Sequence, residues 1–149
     1  MAAYAVDYQR TASTTASVGN LVANATRPRR LKWYDIEVGS EATPADNAFL
    51  WRFQRCTTAG TSTAVVPQPL SSADAATEAA AGENHTVEPT YTAAAILLHL
   101  ALNQRATFRW VAREGGELIS PATASNGIGV QTPTSSAVAV TCQTHVDEM

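Results

Sequence analysis

At 149 residues the chain fits one domain and is long enough to bury a self-sufficient core. A formal net charge of −3 argues against general nucleic-acid binding, which needs a basic face, and no segment approaches the ~18 apolar residues that span a bilayer. Only 15% of residues are charged, against roughly a quarter in ordinary soluble domains, so few solvated charges stand in the way of close contact with other protein surfaces.

Two cysteines, Cys56 and Cys142, are too few for a disulfide framework and lack zinc-type spacing. Two buried thiols are expected, with a single disulfide between adjacent strands as the alternative. The N-terminus, MAAYAVDYQRTAST, has no basic region followed by an apolar run, so a soluble protein without a signal peptide is expected.

In chain order, Tyr4, Val6 and Tyr8 alternate with Ala5 and Asp7 and predict a short strand. The following TASTTASVGN reads as an extended arm, so residues 1–26 are expected to be an N-terminal arm or edge strand and residues 27–149 a β-sandwich domain. Arg27-Pro28 excludes a helix there, because the residue before proline is pushed to extended geometry. Leu31 to Val38 predicts a strand with Tyr34, Ile36 and Val38 on one face and Leu31 and Trp33 on the other. Gly39 ends it, and EATPADN is a loop.

Asn47 to Thr57 alternates most clearly: Phe49, Trp51 and Phe53 face one way, Leu50, Arg52 and Gln54 the other. It is expected to pair with the Leu31–Val38 strand as an antiparallel neighbour. Val65-Val66 begins a strand that Pro67 and Pro69 end or confine to an edge. Ser71 to Gly82 is the one helical candidate, with an ordered loop as the alternative. Ala93 to Leu102 is apolar except for His99, a run that suits a buried strand or a buried helix; Thr90, Tyr91 and Thr92 favour strand. Arg105 to Arg113 predicts a strand with Phe108, Trp110 and Ala112 opposite Arg109, Val111 and Arg113. Gly115-Gly116 makes a tight turn, and short strands follow at Glu117–Ser120 and Gly127–Thr132. Ser136 to Val146 closes the chain with Val138, Val140 and Cys142 on its buried face. The fold class is all-β: a β-sandwich or jelly-roll-like single domain with an extended N-terminal arm and at most one short helix.

Chemistry is sparse. Glu83, His85 and Glu88 make a partial metal-ligand pattern in what reads as a polar, hydrogen-bonded loop; His99 sits among strand neighbours and His145 is expected to be exposed. No GxSxG, P-loop or GxGxxG motif is present, and Gly127 and Gly129 read as a turn. No catalytic residue, metal or cofactor is therefore expected. The best recognition candidate is the cluster Arg27, Arg29, Arg30 and Lys32, which Pro28 holds extended beside Trp33 and Tyr34. It suits an anionic protein partner, or else a solvated strand entrance neutralised by Asp35, Glu37 and Glu41. Arg105, Arg109 and Arg113, at every fourth position, form a second contact stripe on one strand face. Trp33, Trp51 and Trp110 are read as core in preference to sugar-stacking platforms.

The run TRPRRLKWYDIEVGSEATPADNAFLWRFQRCTTAGTST, with GENHTVEPTYT and LNQRATFRWVAREGGELISPATASNGIGVQTPT after it, resembles capsid decoration (cement) proteins of tailed bacteriophages. The resemblance is one of overall texture across residues 1–146. It implies a sandwich protomer that forms homotrimers on the outer surface of the virion, at local three-fold positions, bridging units of the major capsid protein. It implies no enzyme activity, no cofactor, and neither nucleic acid nor membrane as partner. Another virion component, such as a tail or head–tail joining protein, is the alternative, followed by a carbohydrate-binding or cupin-like module. On the arm reading, deletion of residues 1–20 is expected to weaken assembly while the β core still folds.

Overall fold

A computed structural model of the chain describes residues 1–134 and 137–149. The described residues form twelve strands: β1 (Ala2–Thr11), β2 (Gly19–Val22), β3 (Leu31–Ala42), β4 (Ala48–Cys56), β5 (Thr61–Val65), β6 (Gln68–Pro69), β7 (Ala80–Val87), β8 (Tyr91–Asn103), β9 (Phe108–Val111), β10 (Leu118–Ser120), β11 (Gly127–Gln131) and β12 (Ala139–Glu148). They build two antiparallel sheets. The first runs β10-β3-β12-β1-β6, with β9 also paired to β3; the second runs β5-β7-β2-β11-β4-β8. The all-β sandwich expected from the alternating pattern is what the chain adopts. Ser136, the expected first residue of the last strand, lies outside the described residues.

The core is the meeting of the two inner faces. From the first sheet come Tyr4, Val6, Tyr8, Trp33, Ile36, Val38, Val140 and Cys142; from the second come Leu21, Phe49, Trp51, Phe53, Ile128 and Val130, all at most 3% exposed. Trp33 and Phe53 touch across the interface edge-to-face, with ring centroids 6.5 Å apart, a geometry that adds about 0.5–1.5 kcal/mol beyond area burial. Trp51 is core, as its alternation predicts; Trp33 is core as well, and Trp110 is half-buried against the core. Cys56 and Cys142 are both buried free thiols on opposite sheets. Burial pushes the Cys56 thiol up to about 12 and raises that of Cys142 as well.

Several expectations give way; β3 runs through Gly39 to Ala42, and Gly127 and Gly129 lie in β11 and not in a turn. Of the two readings of residues 1–26 the arm gives way: β1 pairs with β12 along its whole length, from Ala2–Glu148 to Thr11–Ala139, and meets only the two-residue β6 on its other side, while β2 is a buried inner strand of the second sheet. The connection between them is pinned, because the Ser17 backbone N–H donates to Glu88 at 2.8 Å and its hydroxyl lies 2.6 Å from that of Tyr91. Small polar residues here serve a crossing between sheets, not a free tail. Second, β3 and β4 are not neighbours; the loop between them carries the chain from one sheet to the other. Third, Tyr34 does not share the face of Ile36 and Val38. The register with β12 slips between His145 and Val146, leaving Tyr34 as a bulge, so Leu31 and Trp33 face inward together with Ile36 and Val38. Fourth, His85 is not in a loop but in β7, with 5% of its surface exposed. Residues 71–79 form turns and bends, the loop alternative, and β7 begins at Ala80.

Candidate functional site

The bulge at Tyr34 turns Asp35 onto the outer face of the first sheet, between β9 and β12. Arg109 of β9 donates to both carboxylate oxygens of Asp35, its Nε at 2.8 Å from Oδ1. The ring Nδ1 of His145, on β12, lies 3.2 Å from Oδ2, and the Tyr34 ring tilts over the imidazole at 6.2 Å. The Asp35 side chain is only 7% exposed, whereas that of Arg109 is 60% exposed. The Arg109 bonds hold the Asp35 carboxyl below the usual carboxylate range, His145 adds to the effect, and burial opposes it. Asp35, Glu37, Arg109, Gln143 and His145 line a shallow depression of about 190 Å³. A second, of about 250 Å³, shares Glu37 and Gln143 and extends to Asp7, Ser40, Thr107 and Thr141.

Chemically this is an ion-pair cluster that ties the short strand β9 to β3 and β12. The Asp35 carboxylate already accepts from Arg109 at both oxygens, so its lone pairs are committed to holding the sheet edge. His145, expected to be exposed, is half-buried instead because Tyr34 and Asp35 flank it.

The basic residues picked out in the sequence do not form one surface. Arg27 pairs with Glu78 at 2.8 Å. Arg29 lines a groove with Met1, Met149 and Glu148, and the Arg30 backbone pairs with that of Met149. Lys32 pairs with Glu117 at 3.1 Å. From Lys32 to Glu37, the register partner of Arg109, β3 runs about 17 Å, so the two groups stand apart. Nor do Arg105, Arg109 and Arg113 share a strand face: the turn at residues 104–105 delays β9 until Phe108, and the strand ends at Val111. The Arg105 backbone N–H donates to the Asn103 side chain at 2.9 Å, which holds that turn.

Of Glu83, His85 and Glu88, the two carboxylates are each engaged by a backbone N–H: Glu83 accepts that of Gln9 at 2.8 Å and Glu88 that of Ser17. Among the described residues no group of three or more His, Cys, Asp or Glu side chains is placed to hold a metal ion. Burial holds the His85 imidazole below its ordinary value, with Glu88 and the Ala59 backbone in partial opposition. His99 is satisfied by Arg52, whose Nε donates to it at 3.0 Å.

The unusual surface is elsewhere. The apolar run of β8 reads as a strand buried on both faces, yet β8 is the last strand of the second sheet. One side pairs with β4 from Ala48–Asn103 to Cys56–Tyr91; the other carries no strand among the described residues. Leu98, Leu100 and Leu102 pack half-buried over Phe53, Trp51 and Phe49, while Ile96 is 38% exposed. All thirteen residues lack a formal charge apart from His99, and Ala93, Ala94, Ala95 and Ala101 offer little bulk. Edge strands in monomers are normally guarded by lysine, proline or a bulge. Here the guard is the irregularity at residues 92–97, where Ala94 has φ of 57°, and the stretch from Leu98 onward is regular. The signal in the sequence was the length of the uncharged run; its place at an edge was not readable there.

Comparison with known protein families and with curated proteins gives no match to this chain.

Proposed function

We propose that this chain is a structural virion protein, a capsid decoration protein that binds the outer surface of an icosahedral phage head as a homotrimer at three-fold positions and stabilises it. Its partners are copies of itself and the major capsid protein. One observation carries the reading: the second sheet ends on a thirteen-residue strand that is almost entirely uncharged, apolar and open to a neighbour. Such an edge favours adding another chain by backbone pairing and close side-chain contact. The low overall charge, 15% of residues, lowers the desolvation cost of a broad contact.

The mechanism is linkage. A protein that binds the closed shell and not its separated subunits stabilises the shell by about 2.7 kcal/mol per site at a hundredfold excess over Kd. The test is to add purified protein to heads that lack it. Density at three-fold positions and a higher temperature of thermal disruption are expected. Heads that bind none of it, or that bind it only at a tail or vertex, refute the reading.

A further inference from the structure

We propose that His85 is an acid-operated latch: neutral, it holds the crossing between β1 and β2 closed, and protonated, it releases that crossing. The latch is built into β7. Up to Glu83 this strand is paired on both flanks, with β2 through Gly19–Glu83 and with β5 through Thr63–Glu83. Beyond Glu83 the β2 pairing stops, and on the other flank β5 next meets β7 at Thr61–Val87. Asn84, His85 and Thr86 therefore bulge opposite Ser62 alone, and Asn84 takes a left-handed φ of 51°. The strand ladder holds this segment at its ends and not along it.

Within the bulge the imidazole is buried, and neither ring nitrogen has a hydrogen-bond partner. The Ala59 carbonyl that faces it already accepts from Asn20 Nδ2 at 2.9 Å. Glu88 is committed as well, since one of its oxygens takes both the N–H and the hydroxyl of Ser17. Glu88 and, from β1, Arg10 are the charged groups facing the ring; Glu88 favours an added proton there and Arg10, which donates to the Ser17 carbonyl at 2.7 Å, opposes it. Of the other titratable groups around the bulge, Glu83 accepts the Gln9 N–H and the Tyr91 hydroxyl lies 2.6 Å from that of Ser17, while β2 and β5 carry none. A neutral ring tolerates this site with two idle nitrogens. An imidazolium brings two N–H donors and a charge to acceptors that already serve Asn20 and Ser17, and burying an unpaired charge costs far more than burying a neutral polar group. Relief is local: the bulge turns out, His85 reaches water, and Glu88 is drawn off Ser17. Ser17 has no exposed surface in the latched state. Residues 13–17 then open between Ala12 and Val18, whose backbone N–H groups stay bonded to Val138 and Val130. The open form takes its proton at the ordinary histidine value of about 6.5 and the closed form resists it, so opening grows as pH falls, by up to about tenfold between pH 7.5 and 5.5.

Amide hydrogen exchange on the full chain, corrected for the intrinsic effect of pH, reads the latch at Ser17. Opening there should be far more frequent than in β4 and β11, which exchange through global unfolding, and should rise by up to about tenfold from pH 7.5 to 5.5. His85→Asn, which cannot take the proton, should erase that rise, whereas His99→Gln should keep it. The His85 ring of the wild-type chain, followed by NMR, should titrate over the same range in which Ser17 opens; this measurement decides the matter where His85→Asn fails to fold. Ser17 opening that is equal at both pH values, that still rises in His85→Asn, or that is as rare as opening of β4 and β11 overturns the latch. An imidazole that titrates while Ser17 stays closed overturns it too.

Discussion

Gly19→Ala should test how closely the two sheets approach. Gly19 lies in β2 of the second sheet, directly over the ring of Tyr8 in β1 of the first. A Cβ there would stand 2.5 Å from Tyr8 Cγ and 2.8 Å from Cε1, and nearer still to Cδ1. Carbon atoms at rest sit about 3.5–4.0 Å apart, so ring or strand must retreat by about 1 Å or more. Tyr8 has no room to comply, being 0% exposed within a rigid core. Overpacking of this kind costs about 1–3 kcal/mol, and the fixed ring places the cost near the top, about 3 kcal/mol. For a chain of this size that lowers Tm by about 6–12 °C, readable by calorimetry. Gly115→Ala is the control: its Cβ meets nothing within 4 Å, and the cost is only the left-handed strain at φ of 73°, about 1 kcal/mol. In a Tyr8→Leu background, which removes the ring edge, Gly19→Ala should lose most of its effect. A Gly19→Ala protein that melts within a degree of wild type, or a cost unchanged by Tyr8→Leu, refutes the close approach.

Deletion of residues 1–12 should abolish folding, reversing the arm expectation. It removes Tyr4, Val6 and Tyr8, at most 3% exposed, each worth about 1.5–3 kcal/mol of burial, against a total stability of about 5–15 kcal/mol. A truncated chain with a sharp melt a few degrees below wild type counts against the observed pairing of β1 with β12. Acid should destabilise the protein in two separable windows. The His85 imidazole sits below its ordinary value in the folded chain, so the unfolded chain binds the proton first, and stability falls as pH drops from about 6.5 to the folded value. His85→Asn should flatten denaturant midpoints between pH 7.5 and 5 relative to wild type, within about that window. The Asp35 carboxyl, lowered chiefly by Arg109, contributes stability that is complete above about pH 3.9 and is lost as pH falls through the lower folded value. Asp35→Asn should therefore cost stability at neutral pH and converge on wild type in strong acid; parallel curves at every pH refute that role.

Much of the fold was legible because period-2 alternation reports a half-buried strand directly. Phe49, Trp51 and Phe53 on β4, Tyr4, Val6 and Tyr8 on β1, and Val138, Val140 and Cys142 at the end of the chain all face the core as their spacing requires. Where alternation is locally broken, the reading failed. The Tyr34 bulge inverts the phase of β3 midway, and only the register against β12 reveals it. Ala80, Ala81 and Gly82 read as helix or loop, yet they begin β7, since Gly82 allows β7 to lie close against β5: a Cβ there would meet the Ser62 side chain. Local propensity gave way to tertiary context.

The sites divide in the same manner. The sequence established a charge-poor chain and the apolar run from Ala93 to Leu102, because both are read directly from residue types. Strand order was beyond its reach: nothing local distinguishes a strand flanked on both sides from one flanked on one. Pairing is a long-range choice, made by which apolar faces can be buried together, and it put β1 inside the sandwich and β8 at its rim. It also parted the arginines that looked like one cluster and joined Asp35, Arg109 and His145, which are 74 and 110 positions apart in the chain. The sequence by itself determined that strands form and, where alternation is unbroken, which side chains they hide; the tertiary structure alone decided which edge is left open to a neighbour.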